Sequence, residues 1–232
     1  MRPKPKLVLL VLSTLLLVSL SLRAENIGCK EMHKLIVPRN PHYGEDGRIL
    51  PGQVLLQEKI VVNASTVAKV VEYPRDGVEL DEYNSTIIIE RNSERKRYHI
   101  RDLIKHGEGL RLVEIAIVCS SLDSSTIFLG FEAGSTGATE GFAVIRSSPN
   151  STNVFALSLV FQGGIVVKRS APDDLELWST TNSDVALCEA CPKRYLVQNC
   201  KYNETSFVCT GRPELVGPLA PDRFMNRRIE IH

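Results

Sequence analysis

Along this chain, apolar residues gather into short runs broken by Gly, Asn, Pro and charged residues, and they do not recur every three or four positions over long stretches. The runs are GQVLLQEKIVV (52–62), AKVVEYP (68–74), STIIIERN (85–92), LRLVEIAIVC (110–119), STIFLGFEA (125–133), GFAVIRS (141–147), NVFALSLVFQ (153–162) and GIVVKRS (164–170). Their Val, Ile, Thr and Phe content, and the turn residues between them, are strand signals. About eight short strands with no regular helices between them predict a mainly β fold, an antiparallel β-sandwich or barrel-like domain. SERKRYHIRDLIKHGEG (93–109) fits two templates. Capped at Asn92 or Ser93 and ended at Gly107, it is a short helix that puts Tyr98, Leu103 and Ile104 on one face; alternation through Tyr98 and Ile100 makes it a strand edge.

The two ends differ from this middle. MRPKPK followed by LVLLVLSTLLLVSLSL is a basic head and an apolar run of 16 residues ending near Ala24, the pattern of a secretory signal peptide spanning residues 1–24. The run is shorter than the roughly 20 apolar residues a bilayer requires, so no stable membrane insertion is expected after cleavage. Residues 25–50 form an irregular arm, 51–170 the β-rich domain, 171–212 a cysteine-rich module and 213–232 an extended tail. The module holds four of the six cysteines and too little apolar material for a core of its own, so cross-links are expected to hold it together.

Charge and cysteines narrow the function classes. With 28 Lys+Arg against 27 Asp+Glu, the net charge of +1 provides no general field for nucleic acid. Cys29, Cys119, Cys188, Cys191, Cys200 and Cys209 are an even set that disulfides can use completely, which fits an oxidising compartment. Cys188, Cys191, Cys200 and Cys209 are expected to pair among themselves, leaving Cys29 to clasp the arm to the strand carrying Cys119. Sequons at Asn63, Asn84, Asn150 and Asn203 point to the same secreted, extracellular destination as glycosylation acceptors.

No catalytic set, metal set or cofactor site stands out. Cys188-Glu-Ala-Cys191 lacks the strand–helix setting of a redox pair, and the C-x2-C-x8-C-x8-C spacing lacks the second close pair of a zinc site. The histidines His33, His42, His99, His106 and His232 form no metal motif, and Asp173-Asp174, Glu79 and Asp81 lack the alternation of a Ca²⁺ loop. Ser135 in A-G-S-T-G approximates a nucleophile elbow, but ATEGFAVIRSS is a poor following helix. Arg95-Lys96-Arg97 is a basic run suited to a solvated face or a polyanion contact. Lys168-Arg169 and Arg227-Arg228 are dibasic pairs of the kind processing proteases cut. GFEAGSTGATEGF (130–142) is a mobile connection between two strands, with positive φ expected at Gly134, Gly137 and Gly141.

GRILPGQVLLQEKIVV, LVEIAIVCSSLDSS and AGSTGATEGFAVIRSSPNSTNVFALSLVFQG together resemble, over roughly residues 48–163, the secreted insect proteins named after multiprotein bridging factor two. The resemblance rests on Ile115 and Ile117, Asp123, Gly134 and Gly137, Ser147, and the strand from Phe155 to Phe161. The isoleucines are one residue closer than in that family, and the 93–109 insertion and the cysteine-rich end are additions. The resemblance implies a secreted β protein with no catalytic residues.

The chain is therefore expected to be a secreted, disulfide-bonded glycoprotein and not an enzyme. It would bind an extracellular protein or a small apolar ligand. The alternatives are a secreted hydrolase using Ser135 and a precursor cut after Arg169.

Overall fold

A computed structural model of the chain describes residues 29–36, 53–74, 83–104, 109–133, 139–158, 163–181, 184, 191–219, 224 and 228–232. The expected signal peptide, most of the arm, Ser135, His42, His106, Glu79, Asp81, Cys188 and Arg227 lie outside the described residues. Within them the protein is mainly β. The strands are β1 (Met32–Leu35), β2 (Leu56–Asn63), β3 (Thr66–Pro74), β4 (Tyr83–Arg91), β5 (Glu94–His99), β6 (Leu110–Ser121), β7 (Ser124–Ala133), β8 (Thr139–Ser147), β9 (Thr152–Ser158), β10 (Gly163–Lys168), β11 (Ala171–Thr180), β12 (Lys193–Tyr202), β13 (Phe207–Leu219) and β14 (Ile229–Ile231). One helical turn, α1 (Ile100–Leu103), follows β5.

Three sheets form: β2-β3-β4-β5, β1-β6-β7-β8-β9 and β13-β12-β11-β10-β14. The second is central, because its two faces feed two different cores. Leu110, Leu112, Ile115, Ile117, Ile127, Leu129, Phe131, Ala143 and Ile145 pack with Ile60, Val62, Ala68, Val70, Ile87 and Ile89 of the first sheet. Ala116, Val118, Phe128, Phe142, Val144 and Leu157 pack with Ile165, Val167, Leu175, Leu177, Cys200 and Phe207 of the third. A strand buried on both faces has no water side on which to place polar residues, which is why β6, β7 and β8 carry near-continuous apolar runs.

Simple alternation along β6 would put Leu112, Glu114 and Ala116 on one face. A bulge between Leu112 and Glu114 adds Val113 and resets the phase, so Leu112 faces the first core while Glu114 joins Ala116 on the other side. The carbonyl of Val113 accepts the amide of Ile36, 2.8 Å away. The carboxylates admitted to this interior are all bonded. Glu114 Oε1 lies 2.5 Å from His33 Nε2, and its Oε2 accepts the amides of Arg228 at 2.7 Å and Ile229 at 3.1 Å. Glu132 receives Arg111 Nη2 at 2.9 Å on one oxygen and Arg228 Nη2 at 2.5 Å on the other. On the opposite side, Glu72 Oε1 accepts the Leu112 amide at 2.5 Å, pinning β3 to the bulge. Burying a carboxylate is costly unless it is paired and hydrogen-bonded in this way.

Cys29 is bonded to Cys119, a closure of 90 residues that ties the arm to the end of β6. In the chain-entropy view such a loop stabilises by about 4 to 5 kcal/mol. Cys200 and Cys209 are bonded across the directly opposed register of β12 and β13. Cys191 is also disulfide-bonded, and no free cysteine occurs among the described residues.

Several sequence expectations change here. The boundary drawn at 170/171 falls in the turn of a hairpin, since β10 pairs with β11 from Gly163↔Ser179 to Lys168↔Ala171. The cysteine-rich segment gains its core by sharing one with the central sheet. The tail is not simply extended: residues 213–219 continue β13, and β14 pairs in parallel with β10. Asn92 and Ser93 do not cap a helix. At φ 46° and 71° they form the two-residue turn between β4 and β5, where paired positive φ matches the twist of the flanking strands. The 93–109 segment thus begins as strand β5 and then makes the single turn α1, which buries Ile100 and Ile104. Gly141 lies in β8 without positive φ; its requirement is space, because an added Cβ would sit 3.0 Å from Ile104 Cγ2 and 3.1 Å from the Leu157 carbonyl. Gly134 and Gly137 lie outside the described residues.

Gly163 and Gly164 serve the same need for close approach. A Cβ on Gly164 would lie 2.1 Å from Phe224 Cδ1, and one on Gly163 would lie 1.9 Å from the Trp178 carbonyl. Phe224 sits with Trp178 and Tyr195 in a three-ring cluster on the outer face of the third sheet, with centroids 5.7 to 5.8 Å apart. Gly164→Ala should expel Phe224, lowering stability in urea unfolding by about 1 to 3 kcal/mol and changing the emission of the single Trp178. Unchanged stability and emission would show that the slot is not tight.

A basic hollow on the outer face of the first sheet

The inward residues of β3 and β4 alternate with an outward set that includes Lys69, Val71 and Tyr73 on β3, and Asn84, Thr86, Ile88 and Glu90 on β4. β5 adds Arg95, Arg97 and His99 to that outward face, opposite Glu90, Ile88 and Thr86 respectively. Lys96 and Tyr98 point the other way, and Tyr98 packs on the first core. Two-residue periodicity therefore splits the basic run Arg95-Lys96-Arg97 between two surfaces.

These outward residues border a hollow of about 410 Å³ lined by Val71, Tyr73, Pro74, Asn84, Thr86, Ile88, Arg95, Arg97, His99 and Arg101. Its floor is apolar. Val71 and Ile88 are only 5% and 7% exposed although they face outward, which fits the aliphatic stems of the neighbouring arginines lying over them with the guanidinium heads at the rim. Thr86 Oγ1 lies 3.1 Å from His99 Nδ1, fixing the imidazole ring. None of the described lining residues is Asp or Glu.

The nearby carboxylates leave much of this positive charge uncompensated. Glu90 takes Lys69 Nζ at 2.8 Å and lies 3.8 Å from Arg95 Nε. The hydrogen bond from Lys69 holds the Glu90 carboxyl below its ordinary range, with smaller contributions from the fields of Lys69, Arg95 and Lys59. Asp102 lies 3.8 Å from Arg101 in an exposed pair. Arg97 makes no ion pair among the described residues. Lys59 and Lys69 share its cross-strand row through the register Lys59↔Lys69↔Ile88↔Arg97.

The remaining sequence candidates are scattered. Asn84 lines the hollow, whereas Asn150 lines a separate polar groove of about 460 Å³ between Tyr98 and the turn joining β8 to β9. Asn203 is exposed, its Oδ1 accepting the Thr205 and Ser206 amides. Asn63 is 5% exposed and donates through Nδ2 to Ser147 Oγ at 3.1 Å. Arg169 lies in the β10–β11 turn, with its amide donated to the His232 carbonyl at 2.6 Å and its side chain 3.2 Å from Glu31. Asp173 pairs with Arg146, and His232 with Glu230. No group of three or more metal-ligating side chains occurs among the described residues, and no helix among them is long and apolar enough to cross a membrane.

Packing around the described ends of the glycine-rich connection is dense. A Cβ on Gly130 would already lie 3.3 Å from Phe142 and 3.4 Å from Glu114 Cβ. The run Arg95-Lys96-Arg97 signalled the hollow only in part, because Lys59, Lys69 and His99 reach this face through strand register and Arg101 lines the hollow from α1. In comparisons with family models, curated proteins and solved structures, nothing matches this chain.

Neutralising Glu90 releases Lys69 and Arg95. Glu90→Gln should tighten binding of a polysulfonated dye to the hollow by about 3- to 10-fold at pH 7 in a fluorescence titration, scaled to one surface charge. Because Glu90 stays ionised below the usual Glu range, that gain should persist as pH falls through the ordinary Glu value and fade only below it. A gain already lost at the ordinary value would contradict the Lys69–Glu90 pairing.

Proposed function

We propose that this chain is an extracellular binding protein, secreted after removal of residues 1–24 and glycosylated, that holds an anionic ligand in the basic hollow of its first sheet without chemistry of its own. The observation carrying this reading is the convergence of Arg95, Arg97, Arg101 and His99 on an apolar floor with no carboxylate among the described lining residues. Guanidinium groups are suited to sulfate, phosphate and carboxylate because their forked donors match two oxygens at once. The disulfides support an oxidising, non-cytoplasmic setting. Of the two partner classes expected from sequence, the small apolar ligand has less support, because the hollow is rimmed by charge and the core beside Gly130 and Gly141 is filled. The resemblance to the multiprotein bridging factor two proteins agrees with this reading in implying no catalytic residue.

The test is a titration with pyrene tetrasulfonate, whose ring suits the floor of Val71 and Ile88 and whose sulfonates suit the arginines. Arg97→Glu should weaken binding by at least about 10-fold, equivalent to about 1.4 kcal/mol, with an unchanged thermal midpoint. Equal binding by wild type and variant would remove the hollow as the site.

Glycosylation is tested by glycopeptide mapping of the secreted protein. A glycan on Asn63 would displace the buried amide from Ser147. Asn150 and Asn203 should therefore carry the glycan mass, and Asn63 and Asn84 should not, because a glycan on Asn84 would cover the hollow. A fully occupied Asn63 would contradict the packing between β2 and β8.

A further inference from the structure

The hollow is one end of a longer basic track. Among the described residues β5 is the edge strand of its sheet, paired only with β4. Along it, Arg95, Arg97 and His99 occupy alternate positions on one face, which places them about 6.8 Å apart and spreads the three over roughly 14 Å. The turn α1 carries the series on to Arg101. Lys69 and Lys59 broaden the track at the level of Arg97, across the sheet. A single small anion can meet at most one or two of these cations. A ligand with a negative group repeating along its length can meet them in series.

We propose that the ligand is a linear sulfated or uronate-bearing polysaccharide laid along β5, with its sugar rings over the apolar floor and its anionic groups at Arg95, Arg97 and Arg101. This rests on the anion-binding reading of the same hollow and specifies its substrate class. Polysaccharide is favoured over single-stranded nucleic acid by the shape of the lining. Sequence-tolerant binding of bases uses successive aromatic platforms, and Tyr73 is the one Phe, Tyr or Trp among the described lining residues. The chain's net charge of +1 also provides no general field for nucleic acid.

The experiment uses the secreted full chain with its glycans in place; a glycan mapped to Asn84, which lines the hollow, would overturn the proposal. Sulfated oligosaccharides from disaccharide to dodecasaccharide are titrated by calorimetry beside inorganic sulfate, a hexose monosulfate and a single-stranded DNA of matched charge. The expected result is affinity that climbs with oligosaccharide length and then levels off once the track is spanned. The slope of log affinity against log salt should shrink by about one for each Arg95→Gln or Arg97→Gln substitution, with thermal midpoints unchanged. Equal affinity for hexose monosulfate and the longer chains would overturn the linear ligand. Equal or tighter DNA binding would overturn the polysaccharide class. Pyrene tetrasulfonate bound without any oligosaccharide would defeat this proposal alone and leave the anion-binding hollow standing, whereas no binding of either would defeat both.

Discussion

The structure depends on one sheet being covered on both faces. Over most of their length β6, β7 and β8 are covered on both faces, so the buried positions in them are mostly apolar. That condition gives the chain its most continuous apolar runs. It also dictates how charge enters the interior: Glu72, Glu114 and Glu132 each meet backbone amides or guanidinium groups contributed by other strands. The Arg228 guanidinium and amide reach Glu132 and Glu114, so the last strand is anchored to the middle of the fold. Removing one partner from such a buried network leaves an uncompensated charge, typically at a cost of about 3 to 5 kcal/mol.

A covered central sheet displaces surface chemistry to the outer faces of its two neighbours. The third sheet partly closes its own outer face with the ring cluster of Trp178, Tyr195 and Phe224, and Gly164 makes the room. On the first sheet, Val71 and Ile88 are buried although they face outward, in a hollow also lined by Arg95, Arg97 and Arg101. Aromatic rings make a closed, water-free surface, whereas long cationic side chains cover apolar area and still present charge to solvent. The difference explains why a charged hollow lies on the outer face of the first sheet and a packed ring cluster on the outer face of the third.

Strand positions were legible because β-branched runs bounded by turn residues reflect local preference, and each of the eight runs contains or overlaps an observed strand. The 93–109 segment was ambiguous because it is both things in succession. β5 is held by pairing with β4, and α1 by the burial of Ile100 and Ile104 in a core built from distant strands. The bulge at Val113 was not legible: its effect is to send Glu114 toward His33 and Arg228, residues 81 and 114 positions away in the chain. Nor was the division of the C-terminal segment, whose apolar content looked too small until Ala116, Phe128 and Phe142 supplied the other half of its core.

The sequence by itself determined the eight strand runs between residues 52 and 170 and an even cysteine set, because these rest on the conformational preferences and counts of neighbouring residues. Tertiary structure alone decided which face each residue shows and which residues meet. Strand register brought Lys59, Lys69, Arg97 and Ile88 into one row and turned Lys96 away. The same packing buried Asn63 while leaving Asn203 exposed, although the two carry equivalent sequons. Side-chain direction in a sheet flips with every residue and every bulge, so the surface a charge or an acceptor occupies is fixed only when the strands find their partners.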